Sequence, residues 1–97
     1  MNISNEQAAA FRTAAETILL ALVRIPTDKD TEQSHTARAD MVDCLIDPRK
    51  WVLDLGYDQA MWAIEQALEA TAEHTVNGWE DDAGRIAVEQ LCATFGL

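Results

Sequence analysis

The run from Tyr57 to Val76, YDQAMWAIEQALEATAEHTV, constrains the fold more than any other part of the chain. At 3.6 residues per turn, Tyr57, Met61, Ile64, Leu68, Ala72 and Thr75 fall in one stripe. Ala60, Ala63, Ala67 and Ala70 flank it on one side and let a neighbouring helix approach closely. The opposite flank carries Trp62, Glu65, Gln66, Glu69 and Glu73. An alternating strand pattern cannot accommodate this spacing, so the run predicts a long amphipathic helix.

The outer face of that helix is unusual. Glu65, Glu69 and Glu73 stand at i, i+4 and i+8, and each like-charge pair costs roughly 0.2–0.5 kcal/mol in a helix. No lysine or arginine occurs between Tyr57 and Gly84 to relieve them. Such a face either keeps a domain solvated or is aimed at a partner.

The rest of the chain reads as further helices. Ser4 and Gln7 form a capping box, with Ile3 placed to staple against Ala8. The first helix then carries Phe11, Ala14, Ala15, Ile18, Leu19, Leu22 and Ile25 on a broad apolar face, and Pro26 follows its end. Leu20 falls on the opposite side. The polar segment from Thr27 to Gln33 has oxygen-bearing residues at Asp28, Asp30, Glu32 and Ser34. Gln33 at the turn position and Ala39 at the twelfth break the pattern of a calcium loop. A second helix is predicted from about Thr31 to Ile46, with Ala37, Met41, Cys44 and Leu45 inside. Asp40, Asp43 and Asp47 form a second acidic ridge. Asp47-Pro48 is an N-cap followed by a first helical residue. A short helix, Pro48 to Leu55, is expected to bury Trp51, Val52 and Leu55 before Gly56 stops it. Asp58 is the expected N-cap of the long helix, and Asn77-Gly78 a turn beyond it. Glu80, Asp81 and Asp82 suit the positive end of a last helix. That helix packs Gly84, Ala87, Val88, Leu91, Cys92 and Phe95 inward, with Ile86 outside and Gly96 at the end.

The expectation is an all-α fold, a small bundle of four main helices plus one short helix in a single domain over residues 1–97. Seventeen acidic residues against seven basic ones leave a formal charge of −10. That balance argues against direct contact with nucleic acid or an anionic membrane. The N-terminus has no basic lead, the longest apolar run, Ile18 to Val23, is too short to span a bilayer, and both cysteines sit on apolar stripes. These features suit a cytoplasmic protein with buried reduced thiols.

Catalytic chemistry is not indicated. His35 and His74 lie at no ligand spacing from another histidine or from Cys44 or Cys92, and no glycine-rich loop could cradle a phosphate. No cofactor, metal or enzymatic activity is expected.

The function expected is that of a small acidic binding protein that inhibits a larger protein by occupying its basic surface. Trp62, Glu65, Glu69, Glu73, Asp40, Asp43 and Asp47 are the partner-binding candidates. Tryptophan is a favoured anchor at interfaces, and surrounding carboxylates steer association towards lysine and arginine. In type this resembles phage and plasmid inhibitors of host defence. Full nucleic-acid mimicry needs more than one ridge. Carboxylates at i, i+4 advance roughly 6 Å per charge, whereas a DNA strand advances roughly 3.4 Å per phosphate. The alternatives are an immunity or antitoxin protein neutralising a basic toxin, or a homo-oligomeric module joined through Leu20 of the first helix or through Ile86.

Overall fold

The computed structural model describes residues 3–72 and 79–96. Among them are five α-helices: α1 (Asn5–Leu22), α2 (Glu32–Ile46), α3 (Pro48–Leu55), α4 (Tyr57–Thr71) and α5 (Trp79–Thr94). A 3-10 turn, Thr27–Lys29, joins α1 to α2. The all-α expectation holds, with four main helices and one short one.

The local signals act where the sequence puts them. Ser4 and Gln7 form the capping box of α1. Thr31 and Ser34 form a second box at the start of α2, with hydroxyls exchanged for the missing backbone partners. Asp47 closes α2 and opens α3, its Oδ1 accepting the Lys50 N–H at 3.2 Å, with Pro48 at the first helical position.

The α3–α4 corner differs from the expectation in two respects. Gly56 serves both as the C-cap of α3 and as the N-cap of α4. It does so at φ 85°, which is open to glycine and strained for other residues. Asp58 therefore lies inside the first turn of α4, near its positive end, and caps nothing with its side chain. The same abrupt turn leaves no following residue to cover Leu55, which is 41% exposed instead of buried. At the other end of α4 the helix stops at Thr71, so Ala72 is exposed at the C-cap. Glu73, His74, Thr75 and the Asn77-Gly78 turn lie outside the described residues.

Successive main helices run antiparallel. Gln7 Nε2 of α1 donates to the Thr94 carbonyl of α5 at 3.2 Å, while Gly84 at the other end of α5 meets Ile18. Cys44 of α2 reaches the Phe11 carbonyl of α1 at 3.8 Å, and Gln33 of α2 meets Gln66 of α4. Gly84 allows α5 to lie close to α4. A Cβ there would come within 2.7 Å of the Leu68 Cδ1.

Phe11, Ala14, Ile18, Leu22, Met41, Cys44, Val52, Ile64 and Leu91 are buried in one cluster fed by every helix. Phe11 is its hub. Its ring stands edge-on to Trp51 of α3 at 6.1 Å and to Phe95 at 5.9 Å.

Tyr57 packs its ring on Phe95 at 4.7 Å, yet its hydroxyl is buried without a hydrogen-bond partner among the described residues. An unsatisfied buried hydroxyl carries a desolvation cost. Tyr57→Phe keeps the ring contact and removes that cost. It should stabilise the fold by about 1 kcal/mol, read as a small rise in melting temperature by circular dichroism. A fall in melting temperature would show that the hydroxyl has a partner.

Candidate functional site

The two acidic rows lie on helices that pack side by side, α2 and α4, and a groove of about 350 Å³ runs between them. Its floor is Ala37 of α2 with Ala63 and Ala67 of α4, all buried. The small side chains that permit close packing also leave the floor shallow. Glu32, Gln33, Thr36 and Asp40 form one rim, and Trp62 and Gln66 form the other. Gln33 Nε2 donates across the groove to the carbonyl and the Oε1 of Gln66, both at 3.4 Å. Trp62 is 58% exposed, whereas Phe11 and Trp51 are buried and Tyr57 and Phe95 half-buried.

Charge in the groove is one-sided. Glu32 and Asp40 line it, and no lysine, arginine or histidine among the described residues does. Asp40 makes no hydrogen bond or ion pair among the described residues. Partial burial, and to a lesser degree the neighbouring Asp43, holds its carboxyl above the ordinary carboxylate range.

Four of the seven cations are committed elsewhere. Arg38 bonds the Asp30 carboxylate and, at 3.4 Å, the Leu22 carbonyl. Arg49 bonds the Ile3 carbonyl and the Asn5 side chain. Lys50 pairs with Asp54 at 2.7 Å, and Arg85 pairs with Asp82 at 2.5 Å.

The structure brings together only part of the sequence-predicted set. Asp40 and Trp62 face one groove. Asp43 and Asp47 instead line a depression beside α3, with Lys50, Trp51 and Asp54, and the Asp47 carboxylate is occupied as an N-cap. On α4, at about 100° per residue, Glu69 projects within about 20° of Trp62, while Glu65 is turned about 60° away from the groove. Its charge is felt at Tyr57. Burial first, then Cys92, Asp58 and Glu65, holds the Tyr57 hydroxyl above its usual range. Glu73 lies outside the described residues. Leu20 and Ile86 are exposed, at 54% and 52%.

One cluster was not anticipated from the sequence. Asp30 accepts hydrogen bonds from Arg38 and Ser34, and its Oδ2 lies 2.9 Å from His35 Nε2. These bonds, with Arg38 first, hold its carboxyl below the usual range. The oxygen-rich loop therefore docks on its own helix α2. The available signal was the spacing of Asp30, Ser34 and Arg38, four residues apart, which stacks all three along one side of an extended α2.

Among the described residues, no group of three or more His, Cys, Asp or Glu is arranged to hold a metal, and no helix is long and apolar enough to cross a membrane. No family model matches the chain, and no curated protein or solved structure is significantly similar to it.

Proposed function

We propose that this chain is a binding protein that occupies a basic surface of a larger protein and so blocks it, with the α2–α4 side as the docking face. The observation that carries this reading is the juxtaposition of exposed Trp62 with unpaired Asp40 across a groove that no cation among the described residues lines. A large aromatic ring at the centre of a contact supplies binding energy on the order of 2 kcal/mol or more. Glu32 and Asp40 beside it, with Glu69 on the same crest as Trp62, select a lysine- or arginine-rich partner and speed its encounter. The net charge of −10 acts in the same direction at longer range.

This face suits a blocker of phage or plasmid anti-defence type, and equally an immunity or antitoxin protein facing a basic toxin. The two differ in the partner, not in the physics of the face. Asp47, committed to capping α3, drops out of the proposed contact. Asp43 and Glu65 contribute field more than contact.

The test is capture of partners by the immobilised chain from a lysate of its source cells, with identification by mass spectrometry. The wild type should retain a basic protein that is released as salt rises through the physiological range. The double variant Trp62→Ala/Glu69→Lys, with an unchanged thermal melt because both side chains are exposed, should lose about 30-fold or more in affinity. Capture unaffected by the double substitution refutes the reading.

A further inference from the structure

Resting on that reading, the groove between α2 and α4 can be assigned a more specific occupant. We propose that it takes one arginine side chain of the protein partner, its guanidinium stacked on the Trp62 indole and bonded by the Asp40 carboxylate.

Several features of the groove favour this occupant. At about 350 Å³ it lies at the small end of ligand sites, so it admits a side chain more readily than a cofactor. Its alanine floor offers apolar contact to the methylene stem of a long side chain. Its polar rim is rich in acceptors: two carboxylates, from Glu32 and Asp40, and the side-chain oxygens of Gln33 and Gln66. A guanidinium presents five donors in a planar fork and also stacks on an indole face, so it satisfies both kinds of wall at once. An ammonium can also approach the indole face, but as a compact, strongly hydrated charge it lacks the planar fork that stacks on the ring and bonds a carboxylate bidentately. The chain's own arginines do not enter the groove. Arg38 and Arg49 are held by Asp30 and by the N-terminal residues.

Asp40 is poorly placed for the fold alone. It is partly buried, has Asp43 as a like-charged neighbour on its own helix, and shares the groove with Glu32 and, from α4, with uncharged Trp62, Ala63, Gln66 and Ala67. With its carboxyl raised above the ordinary range, the folded protein holds the Asp40 proton more tightly than the unfolded chain does. Ionised Asp40 therefore costs stability above that range, and the cost disappears as pH falls below it. Asp40→Asn should accordingly raise the melting temperature at neutral pH, with no gain in acid. A partner's guanidinium would remove the same cost on binding.

The experiment is a titration of the ¹⁵N-labelled chain with capped Gly-Arg-Gly, beside capped Gly-Lys-Gly and the uncharged isostere Gly-citrulline-Gly, followed by NMR. The arginine peptide should shift the Trp62 indole N–H and the Gln33 and Gln66 side-chain amides along one saturable curve. Citrulline should not, and lysine should bind several-fold more weakly. Asp40→Asn should weaken the arginine peptide about tenfold, as expected for a lost charge-assisted hydrogen bond. Glu89→Gln, which removes an equal charge from an exposed site on α5, should leave it unchanged. Absence of saturation up to tens of millimolar, equal weakening by both substitutions, or equal binding of lysine would each overturn the arginine assignment. If partner capture is still lost in Trp62→Ala/Glu69→Lys while the peptide fails, the docking face stands and only its occupant is wrong. If the peptide binds while capture is unaffected, the blocking function falls and the groove assignment survives.

Discussion

Phe11→Ala should destabilise the protein by about 3–5 kcal/mol, the range for truncating a fully buried phenylalanine. In a domain of this size that corresponds to a fall in melting temperature of roughly 15–30 °C. The effect is large because Phe11 is fully buried and ties α1 to three other helices. Its ring packs edge-on to Trp51 and to Phe95, and its carbonyl receives the Cys44 thiol. Truncation removes both aromatic contacts and leaves a cavity that three helices would have to close together. Total stability for a chain this long is on the order of 5–15 kcal/mol, so this single change consumes a large share of it. Phe11→Leu keeps most of the volume and should cost much less. Urea denaturation of the three proteins measures the series, and a loss below about 1 kcal/mol for Phe11→Ala would contradict the hub role.

The second large effect concerns Cys44. Its side chain is fully buried, and burial pushes the thiol from 9.0 up to about 12, against a smaller opposing pull from Arg12. At a given pH below that range, Cys44 carries about a thousandth of the thiolate of an ordinary cysteine, before access is considered. In a native titration with a thiol reagent at pH 8, half-buried Cys92 should react and Cys44 should not, until denaturant exposes both. Two equivalents reacting at similar rates in the native protein would contradict this. There is also a consequence for stability. The folded protein keeps the Cys44 proton up to about pH 12, whereas the unfolded chain releases it near 9. Folding therefore weakens as pH rises between those values. Cys44→Ala should abolish that alkaline decline while lowering stability at neutral pH through the cavity it leaves.

Much of the architecture could be read from residue order. The capping box at Ser4 and Gln7, the Asp47-Pro48 start of α3 and the inward stripe of Met61, Ile64 and Ala67 follow from local chemistry and a 3.6-residue period. The exposure of Leu20, Ile86 and Trp62 follows from the same period. The misplacements lie at helix ends. One glycine at positive φ replaced the separate cap expected at Asp58 and left Leu55 uncovered. Which residue of a two-turn helix is covered depends on where the chain goes next, and the period does not contain that information. The Asp30 cluster escaped for a related reason. Its residues belong partly to a loop, and a loop has no period to align them.

The long run Tyr57–Val76 divides in the same way. Its sequence by itself determined a helix with an apolar inside, a small-residue flank and an acidic outside carrying one tryptophan. It determined equally that α2 bears acids at Asp40, Asp43 and Asp47. Only the tertiary structure decided which of these meet. Helical period sets the angle of each side chain about its own axis, but not how two helices rotate and slide against each other. Here the alanine contacts between α2 and α4 set that relation. They place Asp40 across a groove from Trp62, while Asp43 lines the separate depression beside α3.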